Sequence, residues 1–142
     1  MTSAPRLLHA SCVRINGKGV LLMGASGAGK SDLALRLMDR GATLVGDDYL
    51  EVQVCDGQLV AQVPDRISGK LEVRGIGLCR FPFINSATIE LIVRLDEEVA
   101  RFPQQVVEVL DGISIPLLHL NAYEASAPLK VELALTQGIG IA

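Results

Sequence analysis

The run Gly19-Val20-Leu21-Leu22-Met23 is apolar at every position, so both faces of the strand it predicts must be covered. Leu7 to Arg14 predicts another strand just ahead of it. The Asn16-Gly17 pair between them suits a tight hairpin turn, because both residues tolerate positive φ. Past Met23 the period lengthens. Leu33, Ala34, Leu35, Leu37 and Met38 predict a mostly apolar helix, with Arg40 in its last turn and Gly41 just beyond it. Strand, glycine-rich loop and helix therefore follow one another directly.

The middle of the chain reads as β-rich. Thr43-Leu44-Val45 leads into Gly46-Asp47-Asp48, and Tyr49 to Cys55 turns at Asp56-Gly57 into Gln58 to Val63. Pro64 to Lys70 is a loop, Leu71 to Arg74 is extended, and Ala87 to Leu95 is the clearest later strand. Asp96 to Phe102 suggests one helical turn, stopped by Pro103. Val106 to Leu110 and Ile113 to Leu118 pair across Asp111-Gly112, with Pro116 confining the second to an edge. Ser126 as cap, Pro128 in the first turn and Leu129, Val131, Leu133 and Leu135 predict a closing helix, followed by a frayed tail from Gly138 to Ala142. The class is α/β.

At 142 residues and 49% hydrophobic content the chain is expected to form one domain with an ample core. A formal charge of −3 provides no basic field, so nucleic acid and anionic lipid are not the expected partners. Met1 to Arg6 lacks the basic start and apolar stretch of a secretory signal, and the longest uncharged segment, Gly112 to Tyr123, falls short of the roughly 20 residues of a membrane span. A soluble cytoplasmic protein is expected. Cys12, Cys55 and Cys79 are odd in number and set in apolar sequence, which predicts reduced core residues rather than disulfides or a zinc site.

Gly24-Ala25-Ser26-Gly27-Ala28-Gly29-Lys30-Ser31 fits G-x-x-x-x-G-K-[ST] in full, between a strand and a helix. A chance match in a chain this short is on the order of one in a few hundred. The glycines let successive N–H groups converge on phosphate oxygens, and the helix start adds partial positive charge. Lys30 is then placed to bridge the β- and γ-phosphates of ATP, and Ser31 to hold Mg²⁺. The bland alternative is a glycine-rich connection. Asp47 and Asp48 can divide the labour of metal orientation and proton acceptance, or form an ordinary Asp-Asp turn. Asp96, after an apolar run broken by Glu90 and Arg94, is an alternative metal carboxylate. No Asn-Lys-x-Asp signature of guanine specificity occurs.

With His9, the glycine loop with Ser31-Asp32, Arg40-Gly41, Asp47-Asp48 and Leu71-Glu72-Val73-Arg74-Gly75-Ile76-Gly77 in hand, the chain resembles the C-terminal catalytic domain of the HPr kinase/phosphorylase family, from about His9 to about Leu135. The resemblance implies a P-loop, PEP carboxykinase-like fold with a central mixed β-sheet flanked by helices, here in a short form without the family's N-terminal domain. It implies a bacterial serine kinase using ATP and Mg²⁺ on HPr, a phosphocarrier of the phosphotransferase system. By resemblance one Asp of the pair acts as base with His9 assisting, Glu72 joins Ser31 at the metal, Arg101 matches a later family arginine, and the assembly is a hexamer. Asp32 stands where the family usually has Glu. Ile115 to Asn121 stands where longer relatives carry an arginine- and glycine-bearing segment tied to dephosphorylation, a departure that bears on the reverse reaction. Read alone, His9 is a half-buried strand histidine, Glu72 a solvated carboxylate, Arg101 an exposed helix-end cation and His119 a packing residue. Two rival readings are a small-molecule kinase and a nucleotide-binding regulatory module without phosphoryl transfer.

Overall fold

The computed structural model describes residues 2–95 and 98–140. Its hub is β9 (Ser86–Leu95), the longest strand. On one side β9 pairs in parallel with β3 (Lys18–Met23), which pairs antiparallel with β2 (Ser11–Ile15), and β2 with β4 (Thr43–Gly46). On its other side the first residues of β9 pair with β6 (Gln58–Gln62), which continues to β5 (Leu50–Cys55) and β1 (Arg6–Leu8). Farther along the same edge, Ile92 to Leu95 pair in parallel with β11 (Ile113–Leu120), and β11 pairs with β10 (Val107–Leu110). A separate hairpin joins β7 (Lys70–Val73) and β8 (Gly77–Arg80).

Alternation along β3 sorts the core into two halves. Val20 and Leu22 point into one, with Leu91, Val93, Leu33 and Leu37 of α1 (Lys30–Asp39), and Val131 of α2 (Ala127–Gln137). Leu21 and Met23 point into the other, with Ile92, Val52, Leu59 and Ile115. The all-apolar run of β3 is thus explained by burial on both faces. Both helices cover the first face, while β1, β5 and β6 curl over the second. The expected mixed sheet flanked by helices is present, with α1 and α2 both packed on the first face.

Several local expectations are corrected. Leu7 to Arg14 is not one strand: it breaks at His9-Ala10 into β1, which pairs with β5, and β2, which pairs with β3. β8 follows Gly75-Ile76 as the return strand of an exposed hairpin. Of the helical turn expected over 96–102, Asp96 and Glu97 lie outside the described residues, and 98–102 is irregular. Pro116 does not hold β11 at an edge; the strand pairs with β10 up to Pro116 and with β9 from Leu117 onward. Ser126 is the N-cap of α2 as expected, but its side chain makes no capping bond. Of the tail, Ile139 packs against the core and Gly140 abuts Pro103 to Gln105, so 138–140 is docked. His119 is exposed, and of the cysteines only Cys12 is buried.

Candidate functional site

The glycine loop leaves the end of β3, at the centre of the sheet, and enters α1 through Gly29 at φ 98, a left-handed conformation costly for any residue with a Cβ. Gly27, at φ 83, has open space where a Cβ would stand. Lys30 is only 7% exposed, and its ammonium donates to the carbonyls of Gly24 and Ala25 at 2.8 and 3.1 Å. It makes no ion pair with any described residue. A buried cation held by carbonyls alone is electrostatically incomplete, and an anion is what completes it.

The two adjacent carboxylates have opposite surroundings. Asp47 accepts from Ser31 Oγ at 2.6 Å and Ser11 Oγ at 2.8 Å on one oxygen, and from the Glu72 N–H at 3.2 Å on the other. Ser11, fully buried at the start of β2, also accepts the Asp48 N–H at 3.3 Å. The pairing of Cys12 with Gly46 and Val13 with Leu44 leaves Val45 as an extra residue, a bulge that sets the exit of β4 just before Asp47. Asp48, at φ 73, swings outward. Its Oδ1 lies 2.5 Å from His9 Nε2, and both side chains are about half exposed. The His9 ring rests against Tyr49, centroids 5.3 Å apart.

Two cavities flank the loop. One, of about 490 Å³, is lined by Lys30, Ser31, Asp32, Asp48 and Glu72 among others. The other, of about 860 Å³, is lined by His9, Gly24 to Ala28, Arg94 and Asn121 among others. Tyr123 borders both. Arg94 is held by Glu108 through two bonds of 2.6 and 2.7 Å. Lys30, Ser31, Asp48 and Glu72 thus line one cavity, His9 lines the other and is bonded to Asp48, and Asp47 lines neither but meets the loop through Ser31. Arg101 lines neither cavity; it lies exposed on the irregular segment after β9, its guanidinium 5.4 Å from the Phe102 ring centroid.

A family model described as the HPr Serine kinase C-terminal domain matches residues 2–109. The chain belongs to that family. An HPr kinase/phosphorylase from Caldicellulosiruptor bescii is 37% identical over 131 residues, 81% of this chain and 42% of that protein. One from Clostridium beijerinckii is 46% identical over 71 residues, 50% of this chain and 24% of that protein. The chain thus spans less than half the length of these curated relatives. The solved structure of the HPr(Ser) kinase/phosphatase from Coxiella burnetii superposes with a TM-score of 0.81 at 25% identity, covering 93% of this chain and 95% of that one. An HPr kinase C-terminal fold is what the sheet order and cleft describe.

Within this HPr kinase domain, Ser11 and Tyr123 join the site without a sequence motif to mark them. Ser11 carries no motif, and only its place opposite Leu22, beside the loop's entry strand, marks it out. Tyr123 is an isolated aromatic whose hydroxyl donates to the Gly27 carbonyl, 96 residues earlier in the chain.

Proposed function

We propose that the domain binds ATP with Mg²⁺ at the glycine loop and transfers the γ-phosphoryl group to a serine hydroxyl of an HPr-type phosphocarrier protein. The observation that carries this reading is the buried ammonium of Lys30, which among the described residues is held by the Gly24 and Ala25 carbonyls, on the same cavity as Ser31, Asp48 and Glu72. Such a site is complementary to a polyphosphate, whose oxygens satisfy the lysine and the loop N–H groups together. The donor set also fits Mg²⁺. Ser31 donates its hydroxyl hydrogen bond to Asp47, which leaves its oxygen lone pairs free, and Glu72 adds a carboxylate to the same cavity, so these two residues would hold the ion. When bound there, Mg²⁺ supplies charge neutralisation for the transfer.

The chain's own residues do the positioning. Lys30 and the loop amides hold the nucleotide, and Asp47, with three donors already engaging it, orients Ser31. Asp48 is then the base: it lines the cavity and, among the described residues, its carboxylate is hydrogen-bonded to His9 alone, so it can take the proton of an incoming serine hydroxyl. His9 supports it by hydrogen bonding. Little else is required, since phosphoryl transfer is largely orientation and electrostatics. No described helix is long and apolar enough to cross a membrane. ATP and a soluble carrier place the reaction in the cytoplasm, and a homo-oligomer, a hexamer by the resemblance, is the assembly this reading carries.

The test is incubation of the full chain with γ-labelled ATP, Mg²⁺ and the host's HPr-type proteins, followed by mapping of the label. Label on one carrier serine is the expected result. Transfer only to metabolites, or to nothing while nucleotide binds, overturns the assignment in favour of a small-molecule kinase or a regulatory module.

A further inference from the structure

Tyr123 is 70% exposed, so burial does not explain where it sits. Its hydroxyl donates to the Gly27 carbonyl, and its ring borders both cavities. Gly27 has a left-handed φ of 83 and open space where a Cβ would stand, so no side chain of its own anchors the peptide that follows it. Two bonds hold that peptide: the Ala28 N–H reaches the Ala25 carbonyl at 3.0 Å, and the Gly27 carbonyl accepts from the Tyr123 hydroxyl.

The turn bearing Tyr123 is itself anchored to α1. Arg36 donates from its two terminal nitrogens to the carbonyls of Ala122 and Glu124, the latter at 3.2 Å. Its Nε lies 3.0 Å from Asp32 Oδ2 without the alignment of a hydrogen bond. Asn121 Oδ1 accepts the Tyr123 N–H at 3.0 Å. The turn also lies directly on the loop: a Cβ on Gly29 would stand 2.9 Å from that of Ala122.

We infer that Tyr123 is a positioning residue of the loop: by holding the Gly27 carbonyl, clamped through Arg36, it stops that oxygen from turning onto a polyphosphate bound at the loop. The inference rests on the function proposed above. A carbonyl facing inward would set a negative dipole against phosphate, whereas one turned outward leaves only N–H groups to meet it. Tyr123 acts through the loop and touches no reacting atom.

The test is calorimetric titration of the full chain with MgATP and separately with Mg-pyrophosphate. Tyr123→Phe keeps the ring and loses one hydrogen bond, so affinity for both ligands falls about fivefold, with the melting temperature within about 1 °C of wild type and kcat at saturating ATP unchanged. Arg36→Ala weakens both ligands to a similar degree, and the double variant binds no worse than the weaker single, because both changes release one clamp. Wild-type affinity in Tyr123→Phe overturns the inference, as does a loss seen with ATP but not with pyrophosphate. Additive losses overturn the role of Arg36. If the wild-type chain binds neither ligand, the proposed function fails and this inference falls with it.

Discussion

Asp47 and Tyr123 both bond the glycine loop, one at Ser31 and the other at Gly27, and are held in different ways. Asp47 is fastened by Ser11, Ser31 and the Glu72 N–H, on strands whose neighbours Cys12, Val13, Leu44 and Val45 are fully buried. Tyr123 hangs from a surface turn tied down by one arginine and an asparagine side chain. The strand side cannot shift without opening the core, whereas the turn side is held against Gly29 by a few part-buried and exposed hydrogen bonds. Loss of a strand-side group is therefore expected to reach the chemistry, and loss of a turn-side hydrogen bond to loosen the loop's grip on a ligand.

The largest expected effect lies on the strand side. Asp48→Asn removes a proton acceptor while keeping the shape and the approach to His9, so transfer falls on the order of a thousandfold while MgATP affinity stays within about threefold. Single-turnover assays beside equilibrium binding measure the two separately. Equal losses in both would mean that Asp48 acts in binding. Asp47→Asn sharpens the contrast, because it disturbs the acceptor for two hydroxyls and an N–H, and therefore weakens Mg²⁺-dependent binding together with turnover.

Ser11→Ala comes next. Its hydroxyl serves both Asp47 and the Asp48 N–H from a fully buried position, so its loss costs about 1–3 kcal/mol in denaturant unfolding and lowers transfer as well. An unchanged midpoint would show that this side is less firmly built than described. The smallest effect concerns the cysteines. Burial pushes the Cys12 thiol up to about 12, so it stays protonated in the folded chain, and Cys55 and Cys79 should react with a thiol reagent first. Because the folded value lies above the ordinary thiol value, the stability Cys12 contributes is present near neutrality and declines as pH rises past 9.0. Rapid labelling of Cys12 under native conditions would contradict its place in the core.

The parts of the site legible in the sequence are those whose meaning is local. The loop's spacing, the apolar run of β3 and the Asn16-Gly17 turn depend on neighbours in the chain, and all appear in the structure where they were expected. The division between Asp47 and Asp48 was not legible, because it depends on a hydroxyl 36 residues away and on an amide 25 residues away. The break at His9-Ala10 has no glycine or proline to announce it, and it arises because β1 and β2 pair with different partners. β8 was missed because its burial is weak and Leu78 is exposed, leaving no alternation to read. Tyr123 has no sequence signal at all, since its partner carbonyl belongs to backbone and is available next to any residue type.

The most direct test of the central claim compares MgATP binding by the full chain with that of Lys30→Met, which keeps the apolar stem and removes the buried ammonium. Wild type is expected to bind saturably and the variant at least about a hundredfold more weakly, with a melting temperature no lower than wild type because a buried charge with no ion-pair partner among the described residues has gone. Equal affinity in the two proteins would contradict that claim.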